Sequence, residues 1–341
     1  MTHQTVADIG EFGLIDRLTA VLPTEARAAT SSVIRGIGDD AAIWVPNVSR
    51  DQVISTDALV ESAHFRLDWT GWEDLGHKAL AVNLSDIAAM GANPVLAVVT
   101  LGLRGDEQVA SLEAMYSGMG ALAVRHGVVI AGGDIVKTPG HRMISVTAIG
   151  EVETGRALLR SGASAGDVVG VTGTIGASAA GLRILEQPRN YQKHTTAPML
   201  IAAHLRPEPR IEAGRLLAEH SASAAMDLSD GLAGDLPKIL ESSGVSAVID
   251  EDALPVIAAV RALFPDSWRE LALHGGEDYE LLFTMARDAF TSFRAGAERR
   301  GITATVIGNV VAADGGQPEL RIRRERGHVE TLPMGAFDHF G

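Results

Sequence analysis

Aspartates that follow apolar segments are the residues of this sequence best suited to chemistry. Each stands beside glycine, serine or threonine where a strand, turn or helix is expected to meet its neighbour: Asp39, Asp40, Asp57, Asp86, Asp134, Asp227 and Asp230. An ionised carboxylate against a protein core is costly unless a cation or a metal ion compensates its charge. Basic partners are mostly absent nearby, and the one closest to Asp86 in the sequence is Lys78. A single such aspartate is best interpreted as a cap or a turn, but the whole set predicts a metal site assembled from both halves.

The types of ligand favour Mg²⁺ over zinc at such a site. The sequence contains no cysteine and no HExxH motif, whereas carboxylate oxygens suit hard divalent ions. Because Mg²⁺ usually joins few carboxylates to substrate phosphates, many acids imply several ions and a polyphosphate such as ATP. The P-loop motif and the protein-kinase motifs are missing.

Two glycine-rich segments could approach an anion. In AGGDIVKT, Gly132 and Gly133 would let backbone amides come close to a phosphate beside Asp134. The segment GVTGTIGASAAG is a weaker candidate for a phosphate turn, because the packing of a helix on a strand explains its glycines equally well.

Length and composition restrict the class of protein. A chain of 341 residues favours two domains. The net charge is −14 and the only basic cluster is RIRRER near the C-terminus, so we expect no nucleic-acid binding and cation-mediated contact with anionic ligands. The lack of cysteine and of a recognisable signal peptide favours the cytoplasm. The apolar stretch 79–103 contains Asp86 and Pro94, so we expect no membrane span.

Hydrophobic patterning predicts the elements that would position these residues. In the first half it predicts helices over 72–90 and 107–125 and strands over 42–45, 52–60, 93–103, 128–136 and 142–152. The pattern restarts near 151–165. It then predicts a strand over 167–173, a helix over 174–187, an exposed insertion over 187–198 and strands over 224–230, 246–250, 278–285 and 303–310. We expect an α/β protein of two α+β-like halves, 1–150 and 151–341, rather than one doubly wound sheet.

Several motifs in order along the chain resemble those of the thiamine-monophosphate kinases, within the aminoimidazole-ribonucleotide synthetase-like superfamily. The resemblance extends from EFGLI near the N-terminus to DHF at the end and includes GIGDDAA, STDALVESAHF, HKALAVNLSDIAAMGANP, GGD, VTGTIGASAAGL, DLSDGLAGDL and GGEDYELLFT. It implies an N-terminal mixed-sheet domain that binds ATP and Mg²⁺ and dimerises with a second copy. A C-terminal α/β domain would complete the nucleotide and substrate sites.

The resemblance also implies an activity, the ATP-dependent phosphorylation of thiamine monophosphate to thiamine diphosphate, and roles for particular residues. The implied Mg²⁺ ligands are Asp40, Ser55, Thr56, Asp57, Asp86, Asp134, Asp227 and Asp230. The implied ATP contacts are Tyr116, Gly133, Asp134, Arg160 and Ser229, and the implied thiamine contacts are His64, Glu277 and Phe337. Members of the family often have tyrosine or tryptophan where Phe337 stands.

Simpler interpretations exist for four of these residues. His64 could be a surface residue after a strand, and Glu277 could belong to a turn. Tyr116 lies near the apolar stripe of its helix, and Arg160 could pair with Asp167.

The expected mechanism is direct phosphoryl transfer between two anions. Because the acceptor is an ionised phosphate oxygen, no catalytic residue beyond the metal ligands is assigned. The alternatives are another ATP-using enzyme of the superfamily, a non-catalytic thiamine-phosphate or nucleotide binding protein, and a divalent-metal phosphatase. The absence of cysteine argues against the superfamily members that rely on a reactive thiol or selenol.

Overall fold

The chain divides into two compact units. The computed structural model describes residues 4–191, 193–324 and 327–333. The first unit contains Met1–Ile87 and Ala92–Gly155, and the second contains Ala88–Gly91 and Arg156–Gly341. The division after Gly155 lies in the segment where the hydrophobic pattern restarts.

The first unit combines helices with a mixed sheet. Its helices are α1 (Val6–Val21), α2 (Trp72–Ala89, which ends across the division) and α3 (Val109–His126). Its strands are β1 (Val33–Arg35), β2 (Ile43–Trp44), β3 (Arg50–Val60), β4 (Asn93–Leu103), β5 (Val129–Lys137) and β6 (Met143–Glu153). β1 and β2 form an antiparallel ribbon, and the other strands form a sheet in the order β3-β6-β4-β5. Only β4 and β5 are parallel within that sheet.

One face of this sheet is buried and the other is partly open. Along β6, Ile144, Val146 and Ala148 are buried, and the residues between them are half-buried. This period of two is that of a strand covered on one face. Ser55 pairs with Ala148, and Asp57 with Val146. The side chains of Ser55 and Asp57 therefore lie on the same face as Ala148 and Val146, where Ser55 is half-buried and Asp57 is exposed at the edge of the packed region.

Two glycines allow α2 and α3 to pack closely. A Cβ atom at Gly76 would lie 1.8 Å from the carbonyl oxygen of Met115, and one at Gly118 would lie 2.0 Å from that of Glu73. The helix backbones can approach this closely only because both positions lack a side chain. Leu80, on α2, is completely buried.

The second unit contains a larger sheet flanked by helices. Its helices are α4 (Ala177–Glu186), α5 (Pro188–Tyr191), α6 (Ala197–Leu205), α7 (Ile211–Glu219), α8 (Leu232–Ser243), α9 (Ala258–Leu263), α10 (Trp268–His274) and α11 (Arg287–Arg299). Its strands are β7 (Val168–Thr172), β8 (Ala224–Asp227), β9 (Val245–Asp250), β10 (Leu281–Met285), β11 (Ala304–Ala312), β12 (Leu320–Arg323) and β13 (Val329–Thr331). The strand order is β13-β12-β9-β11-β7-β10-β8, and only the β12–β9 pair is parallel.

Helices cover both faces of this sheet. Leu282 belongs to a core cluster shared with residues of α8 and α10. Its neighbour Phe283 contacts the rings of Phe290 and Phe293 on α11. Successive residues of a strand point to opposite faces, so β10 is buried on both sides. The observed mixed sheets confirm the predicted α+β-like architecture.

Element boundaries differ from the predictions where the backbone turns. The strand predicted over 278–285 begins only at Leu281, because Glu277 and Tyr279 have φ angles of 66° and 49°. These values are incompatible with an extended strand. The insertion predicted over 187–198 is mostly exposed, but it also contains α5, and Tyr191 packs against the ring of Phe264.

Two of the basic residues near the C-terminus have acidic partners within their own unit. Arg323 pairs with Asp250, and Arg324 pairs with Glu251 and Glu330. Among the described residues, no helix has the length and apolar character needed to cross a membrane.

Candidate active site

The buried face of the first sheet brings a hydroxyl and two carboxylates together. The Ser55 hydroxyl on β3 donates a hydrogen bond to Oδ2 of Asp86 on α2. The backbone N–H of Asp57 donates to Oδ1 of Asn83, one turn before Asp86, at 2.9 Å. Asn83 is itself buried, and its amide donates to the carbonyl of Ala79 at 3.0 Å. The α2–β3 contact therefore fixes the positions of Ser55, Asp57 and Asp86.

The electrostatics of this group favour an added cation. Burial raises the pKa of Asp57 from 3.8 to about 6, and the charge of Asp86 acts in the same direction. Two carboxylates that repel one another are a common setting for a divalent ion.

Thr56 lies on the opposite face of the same strand. It pairs with Thr147, whose hydroxyl donates to the Thr56 hydroxyl at 2.9 Å, and Thr56 in turn donates to the carbonyl of Val146 at 3.1 Å. The structure thus groups Ser55 and Asp57 with Asp86, but it does not bring the Thr56 hydroxyl to them.

Asp40 lies in the exposed loop between β1 and β2. Its backbone N–H donates to the carboxylate of Asp39 at 3.0 Å, and Asp39 pairs with Arg35 at 3.4 Å. Asp40 itself is exposed to solvent.

Gly133 has a structural reason to be glycine. It pairs with Val99 on the neighbouring strand, and a Cβ atom here would lie 1.8 Å from the Val99 carbonyl oxygen. The pairing register of β5 also shifts just before this point. Next to it, Asp134 is exposed, and its carboxylate accepts the N–H of Ile135 at 2.9 Å.

In the second unit, the acids lie at the end of β8 and in the loop before α8. Asp227 is buried at the end of the strand. Asp230 pairs with Lys238 at 2.7 Å. The expectation that basic partners are mostly absent is therefore wrong for Asp230, because α8 brings back a lysine from eight positions further along the chain.

Asp235, in the first turn of α8, is a residue to which the sequence analysis assigned no role. Its side chain is fully buried and accepts the backbone N–H groups of Ser229 and Asp230 at 3.0 and 2.9 Å. Lys238 also donates to Asp235, at 2.8 Å. The i,i+3 spacing of Asp235 and Lys238 was a readable signal for this ion pair.

Glu277 lies in a strained segment that is held to the same loop. Its φ angle is 66°, and its N–H donates to the carbonyl of Ser229 at 2.8 Å. Its carboxylate lies 3.2 Å from Nδ1 of the buried His204, and that nitrogen is 3.1 Å from the hydroxyl of Ser178.

The neighbouring Asp278 caps a helix. Its carboxylate accepts the N–H groups of Gly176 and Ser178 at 2.6 and 3.0 Å, at the start of α4. Burial raises its pKa from 3.8 to about 7, although these two hydrogen bonds oppose the change. The glycine-rich turn before α4 thus directs its amides at an internal carboxylate.

The other implied ligand contacts occupy different environments. Nδ1 of the half-buried His64 accepts the N–H of Val60 at 3.1 Å, so a neutral ring carries its proton on Nε2. Tyr116, on α3, is buried in the core, and burial raises its pKa. Arg160 is exposed, and Phe337 lies outside the described residues.

The oxygen donors of the Ser55, Asp57 and Asp86 group fit Mg²⁺, an ion that proteins rarely enclose with their own side chains alone. Across the described ranges, no three His, Asp or Glu side chains are already grouped to hold a metal. Mg²⁺ commonly binds one or two carboxylates together with water and substrate phosphates. The pair Asp57 and Asp86, with the Ser55 hydroxyl, supplies oxygen donors of this kind.

Comparison with known proteins defines the class to which this fold and site belong. Residues 38–152 match the family model for the N-terminal domain of AIR synthase related proteins, and residues 164–321 match the model for the C-terminal domain. The protein is therefore a two-domain AIR synthase related protein, as predicted.

Individual relatives identify the family within this class. The chain is 42% identical over 281 residues to the thiamine-monophosphate kinase of Bacillus subtilis (strain 168), covering 82% of this chain and 86% of that protein. The crystal structure of thiamine-monophosphate kinase from Stenotrophomonas maltophilia K279a is 38% identical, with a TM-score of 0.81 over 92% of this chain and 96% of that one. The structure of AaThiL complexed with AMPPCP and TMP is 32% identical, with a TM-score of 0.73 over 94% and 96%. The chain belongs to the thiamine-monophosphate kinase family, a family of phosphotransferases.

Proposed function

We propose that the protein transfers the terminal phosphoryl group of ATP to thiamine monophosphate and releases thiamine diphosphate. The observation that carries this proposal is the similarity, over nearly the whole chain, to AaThiL complexed with AMPPCP and TMP. AMPPCP is an ATP analogue whose terminal bridge resists transfer. The grouping of Ser55, Asp57 and Asp86 supports the same reaction, because phosphoryl transfer between anions depends on charge compensation.

The proposed Mg²⁺ ligands are those whose side chains the structure leaves suitable for this role. They are Asp40, Ser55, Asp57, Asp86 and Asp134 in the first unit and Asp227 and Asp230 in the second. The Thr56 hydroxyl is left out because it lies on the opposite face from Ser55 and Asp57. Bound Mg²⁺ would supply charge neutralisation between the donor and acceptor phosphates.

The protein side chains would position the reactants rather than move a proton. The attacking oxygen of thiamine monophosphate is ionised at neutral pH, so no general base is needed. The transfer is direct and in line, with no phosphorylated enzyme. A phospho-aspartate trapped after incubation with labelled ATP would contradict this mechanism.

Contacts to ATP would come from both polar and apolar groups. Arg160 has an exposed guanidinium suited to phosphate oxygens. The backbone at Gly133 and the loop at Ser229 would approach the nucleotide. Tyr116 is the remaining proposed contact; because its ring is buried on α3, it would support the nucleotide site from within the core.

Contacts to thiamine monophosphate would use the charge of its ring. Glu277 offers a carboxylate to the cationic thiazolium, and His64 offers its Nε2 hydrogen. Phe337, which lies outside the described residues, is the proposed apolar contact to thiamine.

The protein would act as a homodimer joined through the open face of the first sheet. Ile54 on β3 is 69% exposed although it lies in the middle of a strand. The same face carries Thr56, Thr147 and the half-buried Ile149. A second copy of this face is the proposed cover.

Incubation of the purified protein with ATP, Mg²⁺ and thiamine monophosphate tests the function. We expect thiamine diphosphate and ADP in equal amounts, with turnover lost when EDTA removes the metal and regained when Mg²⁺ is restored. Phosphate release without ATP would indicate a phosphatase instead. Binding of both ligands without any product would indicate a sensor.

A further inference from the structure

Asp235 reaches backwards from α8 to the loop that precedes it. One carboxylate oxygen accepts the N–H groups of both Ser229 and Asp230. The side chain is fully buried, so these bonds have no competition from water. A helix residue that binds N–H groups before its own helix resembles half of a capping box, but here it fixes two consecutive loop residues.

Lys238 completes the arrangement from the next turn of α8. Its ammonium donates to Oδ1 of Asp235 at 2.8 Å and to Oδ2 of Asp230 at 2.7 Å. The backbone of Asp230 is therefore bound by Asp235, and its side chain is bound by Lys238. A carboxylate has about four acceptor positions, so this contact leaves acceptor capacity on Asp230 for a cation.

We propose that Asp235 and Lys238 are positioning residues for Ser229 and Asp230, and that they set the affinity for the Mg²⁺–nucleotide complex. The inference rests on the proposed function, in which Ser229 contacts ATP and Asp230 binds Mg²⁺. Asp235 and Lys238 touch neither ligand in this arrangement. They determine where the loop amides and the Asp230 carboxylate point.

Backbone hydrogen bonds hold the residues on either side of Ser229 and Asp230: the N–H of Leu228 donates to the carbonyl of Glu280, and the carbonyl of Gly231 accepts the N–H groups of Gly234 and Asp235. Gly231 has a φ angle of 92°, a conformation that residues with a side chain rarely adopt. The only other backbone restraint on Ser229 in the described residues is through its carbonyl, which accepts the N–H of Glu277. Loss of the Asp235 carboxylate would free two amides at the residues that meet the ligands.

Calorimetric titration with Mg²⁺–AMPPCP measures the effect directly. We expect Asp235→Ala to weaken binding by about 10- to 100-fold, the range found when a residue supporting metal ligands is removed. Asp235→Asn keeps an acceptor for the amides but loses the attraction to Lys238, so its loss should be smaller. Lys238→Met should weaken the binding of Mg²⁺–AMPPCP, whereas Lys238→Arg should keep most of the wild-type affinity.

Hydrogen–deuterium exchange provides a readout that does not depend on activity. The amides of Ser229 and Asp230 should exchange faster in Asp235→Ala than in the wild type. Glu241→Gln is the matched control, because Glu241 is an exposed acid on the same helix. It should change neither exchange nor binding.

Two results would overturn the inference. One is wild-type affinity for Mg²⁺–AMPPCP in Asp235→Ala. The other is a reduced number of binding sites in the titration of Asp235→Ala, with wild-type affinity at each site. If thermal unfolding shows that the missing sites equal the unfolded fraction, Asp235 affects only folding. Asp230→Asn separates the two levels of the proposal. If Asp230→Asn binds Mg²⁺–AMPPCP like the wild type, the proposed metal role of Asp230 fails. If Asp230→Asn binds weakly but the Asp235 and Lys238 variants bind normally, only the role of Asp235 and Lys238 fails.

Discussion

At the scale of single residues, the carboxylates of Asp57 and Asp86 lie close enough to repel one another before any cation binds. In the free protein, burial and then the charge of Asp86 raise the pKa of Asp57 from 3.8 to about 6. This repulsion lowers the stability of the unliganded protein. A bound cation would offset this repulsion, so the arrangement favours cation binding.

The variant Asp86→Asn tests this relation. We expect turnover to fall by about 100-fold or more because one charged ligand is lost, while the free energy of unfolding stays equal or rises because the repulsion is removed. Turnover at saturating substrates and urea unfolding measure the two effects. Asp16→Asn is the control, since Asp16 is an exposed acid on α1 and is outside the proposed ligand set. Unchanged turnover in Asp86→Asn would remove it from the metal site.

The buried carboxyl of Asp278 should make stability depend on pH. Its pKa is about 7 in the folded protein and 3.8 in the unfolded chain, so the folded protein binds more protons between these values. Stability contributed by this group is therefore greatest at low pH and declines as pH rises from about 4 to 7.

Unfolding of the wild type and Asp278→Asn by urea across this range isolates the effect. We expect the wild type to lose stability relative to the variant as pH increases. The exposed Asp288 serves as a control in Asp288→Asn, which should follow the wild type. A constant difference between Asp278→Asn and the wild type would show that Asp278 does not titrate in this range.

At the scale of elements, the close packing of α2 on α3 positions Asp86, one of the proposed metal ligands. Asp86 and Asn83 are on α2, and the depth of α2 against its neighbours depends on Gly76 and Gly118. An isolated helix normally gains about 1 kcal/mol when glycine becomes alanine. Here the added methyl would overlap a backbone carbonyl, so the sign should reverse.

We expect Gly118→Ala to lower the free energy of unfolding by about 1–3 kcal/mol or more, measured by urea denaturation. Gly140→Ala is the matched control, because a Cβ atom there meets nothing within 4 Å. That control should be neutral or slightly stabilising. A stabilised Gly118→Ala would mean that the helices do not approach as closely as the structure shows.

At the scale of the whole molecule, the partly open face of the first sheet is the surface through which we propose that two copies form a dimer. Ile54→Asp places a charge in the proposed dimer face. If Ile54 lies at the centre of that interface, its loss should cost about 2 kcal/mol or more, which is about 30-fold in the dissociation constant. Light scattering after size exclusion measures the mass.

Met199→Asp provides the control for this substitution, because Met199 is 52% exposed but lies in the second unit. It should leave the mass unchanged. A wild type that is monomeric at every concentration would refute the homodimer, and an Ile54→Asp dimer would place the interface elsewhere. The joint action of acids from both halves of the chain remains a prediction at this scale.

Local pattern predicted a large part of the fold. The long strands β3, β4 and β6 and the helices α2 and α3 were predicted within a few residues, because alternation and helical spacing persist over many positions. The short ribbon strand β1 was missed, since three residues carry too little pattern. The start of β10 was placed too early, because DYEL alternates polar and apolar residues as a strand does and gives no sign of the positive φ angle at Tyr279.

The sequence by itself determined which residues could do chemistry. Aspartates beside glycine and serine and the absence of cysteine predicted a Mg²⁺ site, and the resemblance of the motifs, in their order along the chain, identified the phosphotransferase family. Tertiary structure alone decided which of these residues act together. Strand register separated Thr56 from Ser55 and Asp57, helix packing brought Asp86 to β3, and α8 returned Asp235 and Lys238 to the loop at Asp230. Such contacts depend on distances across the fold, and one residue of register reverses the face of a side chain, so local sequence cannot specify them.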